Sequence, residues 1–212
     1  MILYLHGFRS SPLSMKARLV GEHMHALGRG AEYVCPQLPA SPKQAIALAL
    51  GLVEGCPADQ LNQLTIIGSS LGGYYATFLA ERLGCRAVLL NPAVHPAQDL
   101  DRHIGMSTDY HSGQPFEFRP EYVAELGVLA IARITQPQRY FLLAASGDEV
   151  LDYRVMLAHY AGAAQHVIQG SDHGISDFSQ YLPSVLEFCT PLLPLAGEGP
   201  GMRALAGSAQ RN

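Results

Sequence analysis

The chain has 212 residues, 48% hydrophobic and 15% charged, with a formal net charge of −4, a balance that suits one globular domain with a sizeable core and is short for two. Only two lysines occur, Lys16 and Lys43, and the arginines are scattered singly, which excludes a basic patch and with it a nucleic-acid partner. The apolar opening "MILYL" has no basic stretch before it and is too short for a signal peptide or a membrane span.

In chain order, short apolar runs alternate with helical patterns. Ile2–Leu5 reads as a strand, 13–27 as a helix, 32–35 as a strand, and Pro42–Glu54 as a helix with Ser41 as cap and proline at its first position. Then follow a strand over 64–67, a helix over Leu71–Leu83, a strand over 87–90, a long excursion over 91–137 in which only 120–134 looks helical, and a strand over 139–144. A helix over 153–160, a strand over 165–168 and a helix over 178–188 complete the series. Strands that alternate with helices in this way predict an α/β fold, an open and mainly parallel sheet of about six strands with helices on both faces. The expected domain is 1–190; the Gly-, Pro- and Ala-rich tail 191–212 has no usable periodicity and reads as a disordered extension. Cys35, Cys56, Cys85 and Cys189 lie far apart without CxxC spacing. They read as small buried apolar residues with reduced thiols, which points to a cytoplasmic location.

The segment "LTIIGSSLGGYYATFLA" places Ser70 at the junction of an apolar strand and an amphipathic helix, inside Gly68-Ser69-Ser70-Leu71-Gly72. The G-x-S-x-G pattern alone is weak, but its strand-turn-helix context is the one a nucleophile elbow needs: a sharp turn lifts the hydroxyl, and glycines two residues either side leave room for it. The competing reading is a glycine-rich turn with a capping serine. A serine hydroxyl attacks only when a base takes its proton, so a histidine and a carboxylate are required further on. "YFLLAASGDEVLDY" carries Asp148 just past a strand, and "HVIQGSDHGISDF" carries His173 just past another, both at the carboxyl edge where an open parallel sheet builds its site. Asp148 alternatively closes a turn, and Asp152 is a second candidate acid or a helix cap; Asp172 reads as a turn residue. The amide of Leu71, at a helix N-terminus, and that of Phe8, in the loop after the first strand, are the candidate oxyanion donors. His6 reads as a packed or hydrogen-bonded loop residue and Arg9 as a solvated one. His23, His25, His103 and His111 lack ligand spacing, so no metal is expected.

The stretches "MILYLHGFRSSPLSMKA", "GSSLGGYYAT", "NPAVHP", "SGDEVLDY" and "GSDHGISDF" together resemble the YqiA-like esterases, a branch of the α/β-hydrolase superfamily with little or no cap domain. The resemblance implies a serine esterase for short- or medium-chain carboxylic esters, with acyl-CoA thioesters as a further substrate class. Ser70, Asp148 and His173 would be the triad, Phe8 and Leu71 the oxyanion hole, and no cofactor would be needed. Residues 91–137 are expected to shape the acyl pocket with Tyr110, Phe116 and Phe118 as walls. Two other readings stay open: a non-catalytic binding or interaction protein on the same fold, and a different triad reaction such as C–C bond hydrolysis. Oligomeric state is left undetermined.

Overall fold

Every side chain of β1 (Ile2–Leu5) is buried, as a continuous apolar run predicts for a strand covered on both faces. The computed structural model describes residues 1–56 and 63–189, and in it β1 pairs in parallel with β2 (Tyr33–Val34) on one side and β3 (Thr65–Ser69) on the other. Outward from β3 lie β4 (Arg86–Leu90), β7 (Tyr140–Ala145) and β8 (Ala164–Ile168), giving a six-stranded parallel sheet in the order β2-β1-β3-β4-β7-β8. All six expected strands form, displaced at their ends by no more than two residues.

The period of two along the strands divides the core. Leu3, Leu5, Ile66, Leu89, Leu142 and Ala144 face α2 (Pro42–Glu54), α3 (Leu71–Leu83), α5 (Pro120–Val128) and α6 (Tyr153–His159). Ile2, Tyr4, Ile67, Val88, Leu90 and Leu143 face α1 (Met15–Ala26) and α7 (Leu182–Cys189). The chain therefore leaves β1 towards one face and the adjacent β3 towards the other. That divergence is a topological switch point, where the two loops part and leave a crevice at the carboxyl edge.

The expected helices Pro42–Glu54 and Leu71–Leu83 have the predicted bounds, and Ser41 Oγ accepts from the amide of Gln44 as the expected cap. Two corrections fall in 91–137. The helix expected over 120–134 stops at Val128, because the chain must turn there to bury Ile134 and to hook Thr135 onto Glu81 of α3. Besides the short helix α4 (Pro96–Asp99), the excursion carries an antiparallel hairpin, β5 (Gly105–Thr108) with β6 (Pro115–Phe118), where the sequence predicts no strand. The expected extension 191–212 lies outside the described residues.

Candidate active site

The turn after β3 is set by close packing. A Cβ on Gly72 would lie 2.0 Å from the carbonyl oxygen of Leu5, and one on Gly68 would lie 2.3 Å from that of Gly72. With both glycines in place, α3 starts against the end of β1, and Ser70 is forced to φ 54° and ψ −121°, a strained conformation for a residue with a side chain. Its backbone is anchored: the amide donates to Leu90 O at 3.0 Å, and its carbonyl accepts from Gly73 and Ala93 at 2.9 and 3.0 Å. Its side chain makes no capping bond to α3, so the capping reading does not hold.

Instead the Ser70 hydroxyl lies 3.1 Å from Nε2 of His173, whose Nδ1 is 2.8 Å from Oδ2 of Asp148. Since a carboxylate only accepts, Nδ1 carries the proton and Nε2 is left to accept from the hydroxyl. The Asp148 side chain is fully buried, and its other oxygen accepts from the amides of Val150 and Leu151 at 2.8 Å each. It thus closes its turn and faces His173 at once. Asp152 is turned away: it caps α6 through the amide of Arg154. Asp172 accepts from the amide of Ser176, a turn residue as expected.

The loop after β1 closes the other side. Gly7 brings this backbone against Ser70, since a Cβ there would meet that of Ser70 at 3.1 Å. Among the described residues, neither the Phe8 nor the Leu71 amide donates to a protein acceptor, and both residues line a cavity of about 460 Å³ together with Ser70 and His173. The loop's shape is held by His6, which is buried. Its Nε2 accepts from the amide of Leu38 at 3.0 Å and its Nδ1 donates to Gly7 O at 3.0 Å. Burial lowers its pKa, outweighing the Gly7 carbonyl and the Asp109 charge that favour protonation, so His6 serves the loop as a neutral ring. Arg9 is not a freely solvated side chain. It bonds Thr108 O at 2.8 Å and Thr108 Oγ1 at 3.2 Å and lies 4.3 Å from the centroid of Tyr110, which ties the β5–β6 hairpin to this loop.

A second cavity of about 400 Å³ lies across the Phe8 loop, lined by Leu38, Pro39, Leu71, Tyr75 and Phe116. Of the aromatic residues expected to form walls, Tyr110 lines the cavity with Ser70 and Phe116 lines the second one. Phe118 is a wall of neither. It is fully buried and meets Phe8 edge to face with centroids 5.1 Å apart.

Asn91 went unnoticed in the sequence. Fully buried at the end of β4, it donates from Nδ2 to the carbonyls of Asp172 and His173 at 3.0 Å each and accepts at Oδ1 from the amide of Ala145 at 2.7 Å. It thereby fixes the His173 loop to the adjacent strands β4 and β7. Among the described residues, no group of three His, Cys, Asp or Glu side chains is placed to hold a metal ion, and no helix is long and apolar enough to cross a membrane.

A parallel sheet with a serine on the sharp turn after its third strand, and a histidine and an aspartate on the turns after its outer strands, is the α/β-hydrolase fold. Within that fold the chain belongs to the Uncharacterised protein family UPF0227, whose model matches residues 1–190, in keeping with the resemblance to the YqiA-like sequences. Solved structures similar to it share the architecture at low identity. A protein of Agrobacterium vitis S4 superposes with a TM-score of 0.70 at 16% identity, covering 89% of this chain and 87% of its own. Alpha/beta hydrolase domain-containing protein 10 from mouse gives 0.64 at 15%, covering 88% and 89%. Est1E from Butyrivibrio proteoclasticus, solved with ferulic acid bound, gives 0.64 at 15%, covering 90% and 86%.

Proposed function

We propose that the protein is a serine esterase that hydrolyses small carboxylic esters through an acyl-enzyme on Ser70. The observation that carries this reading is the continuous hydrogen-bonded chain Ser70–His173–Asp148, ending on a hydroxyl that shares its cavity with two amides lacking protein acceptors. His173 Nε2 takes the hydroxyl proton as Oγ attacks the ester carbonyl, and the Asp148 carboxylate holds the ring in the required tautomer and stabilises its positive charge. The oxyanion that develops is met by the amides of Phe8 and Leu71, each such donor lowering the barrier by about 2.7–4 kcal/mol. The imidazolium then protonates the leaving alkoxide or thiolate. Water, deprotonated by the same ring, attacks the acyl-enzyme and frees the carboxylic acid.

Two cavities of small-molecule size meeting at the Phe8 loop suit a substrate with an acyl part on one side of the oxyanion donors and a leaving group on the other. Acyl-CoA thioesters belong to the same chemistry, and an acyl-chain series on p-nitrophenyl esters and acyl-CoA thioesters would rank them. The second cavity sets the apolar Leu38, Tyr75 and Phe116 against the charged Arg9 and Asp109, so it offers apolar contact for an acyl chain beside a polar rim. Est1E, a fold neighbour solved with ferulic acid bound, supports a small-molecule site on this fold by analogy.

The test is Ser70→Ala. Turnover of a p-nitrophenyl ester is expected to fall by about 10⁴ to 10⁶, with thermal unfolding nearly unchanged, and a fluorophosphonate probe is expected to label the wild type at Ser70 and leave the variant unlabelled. Equal hydrolysis by both would remove Ser70 from the mechanism, and a wild type that hydrolyses no ester and resists the probe would instead favour a non-catalytic binding protein on this fold.

A further inference from the structure

Lys16 stands in the first turn of α1, directly after the Phe8 loop, and is buried at 8% exposure. An ammonium out of water is costly to the fold unless it is paired or hydrogen-bonded. The penalty shows in its titration: burial brings it down to about 8, although the carboxylates of Asp172 and Asp148 oppose the shift. The mechanism above makes no use of this charge.

Its Nζ donates to the carbonyl of Gly174, the residue after His173. The two preceding carbonyls, of Asp172 and His173, are those already held by Asn91. Three consecutive carbonyls of the His173 loop are therefore engaged by two side chains arriving from different elements, Asn91 from the end of β4 and Lys16 from α1. The elements differ in what else they carry. Asn91 connects the loop to the sheet, whereas Lys16 connects it to the helix that continues the Phe8 loop. Lys16 and Gly174 also line the cavity that holds Ser70.

We propose that Lys16 is a positioning residue that fastens the His173 loop to the helix following the Phe8 loop, so that the base and the oxyanion amide are held in one frame. The inference rests on the serine-esterase reading for its effect on catalysis, while the link itself is independent of it. An alternative use of the charge, to bind an anionic group of the substrate, makes a different prediction.

Lys16→Met keeps the apolar stem and removes the donor; Lys16→Arg restores one. With an uncharged p-nitrophenyl ester, K16M is expected to lower kcat about 10- to 100-fold with KM within about twofold, as a displacement near 1 Å at the base would do, and K16R is expected to recover most of the loss. Unchanged kcat in K16M, or a loss confined to KM for esters that carry an anionic group, would overturn the proposal, the latter in favour of a substrate-binding role. Where K16M does not fold, Lys16→Leu, which also lacks a donor, gives the same comparison. A second readout needs no hydrolysis: the hydrogen-bonded imidazole N–H of His173, identified by its loss in His173→Gln, should be resolved in the proton NMR spectrum of wild type and K16R and broadened by exchange in K16M. If that resonance is unaltered in K16M the proposal fails. If the wild type hydrolyses no ester, the esterase reading fails alone.

Discussion

Gly72 has the least room of the described glycines, because the place of its missing side chain is occupied by the backbone of Leu5, 2.0 Å from where a Cβ would stand. Backbone at the end of a buried strand cannot yield as a flexible side chain would. Gly72→Ala is therefore expected to destabilise by about 4 kcal/mol or more, or to prevent folding. Gly51, exposed in α2 with nothing within 4 Å of its Cβ position, provides the contrast. Gly51→Ala should stabilise by roughly 0.5–1 kcal/mol through helix propensity and the unfolded-state entropy, and urea unfolding midpoints of the two variants check both signs. The G-x-S-x-G pattern is readable in the sequence because this steric demand falls on neighbouring residues. Asp148 and His173 were readable for a different reason, that each follows a strand and so reaches the carboxyl edge. Asn91 was not. Its three partners belong to residues 145, 172 and 173, and "NPAVHP" gives no local sign of them beyond an asparagine where the chain turns with φ 44°.

Among the elements, the β5–β6 hairpin shows where periodicity fails. Its strands are four residues each, Gly105–Thr108 and Pro115–Phe118, and they lie half out in solvent, so neither a continuous apolar run nor a clear alternation marks them. What holds them is partly local, the Asp109 carboxylate accepting from the amides of His111 and Ser112, and partly the Arg9 tether from the Phe8 loop. The helix α5 fails the reading differently. Its pattern continues to Ile134, but the capture of Thr135 by Glu81 on α3 requires the chain to leave the helix, a tertiary demand overriding propensity. The hairpin's tether can be tested. The Arg9 contacts are exposed, so Arg9→Ala should change overall stability by no more than about 1 kcal/mol. Amide hydrogen exchange over residues 105–118 should nevertheless accelerate, and KM for an ester should rise a few-fold, because Tyr110 and Phe116 line the two cavities. Exchange in the hairpin equal to that of the wild type would show that Asp109 and the strand pairing suffice without Arg9.

At the scale of the whole molecule, the alternation of strand and helix was legible because the four inner strands β1, β3, β4 and β7 are covered on both faces and read as apolar runs, whereas the edge strands β2 and β8 are only partly buried. Strand order was not legible, since pairing β1 with β3 joins residues more than sixty apart and no local pattern records it. The doubly covered sheet has a consequence for pH. Burial pushes the thiols of Cys85 and Cys189 up to about 12 and that of Cys35 to about 11. It also raises the phenols of Tyr4, Tyr33, Tyr75, Tyr140 and Tyr160 well above their ordinary range, and that of Tyr74 to about 12. In the unfolded chain these groups ionise near pH 9 to 10, while in the folded protein they keep their protons. Above about pH 9 the unfolded state thus binds fewer protons than the folded one, and stability falls as pH rises towards 12. Lys16 works in the opposite sense. Its ordinary value is 10.5 and its folded value about 8, so between those limits the unfolded state binds the extra proton, and this group's penalty, on the order of 3 kcal/mol below pH 8, is relieved as pH rises. The raised thiols and phenols outnumber the lowered amines of Lys16 and the Met1 N-terminus, so the wild type should hold a nearly level stability from pH 8 to 9 and lose it steeply beyond. In Lys16→Met the relieving contribution is absent, and its decline should begin earlier and run more steeply between pH 8 and 10.5. Urea midpoints measured from pH 7 to 11 for both proteins give the comparison, and parallel curves would mean that the Lys16 ammonium is no harder to bury than to solvate.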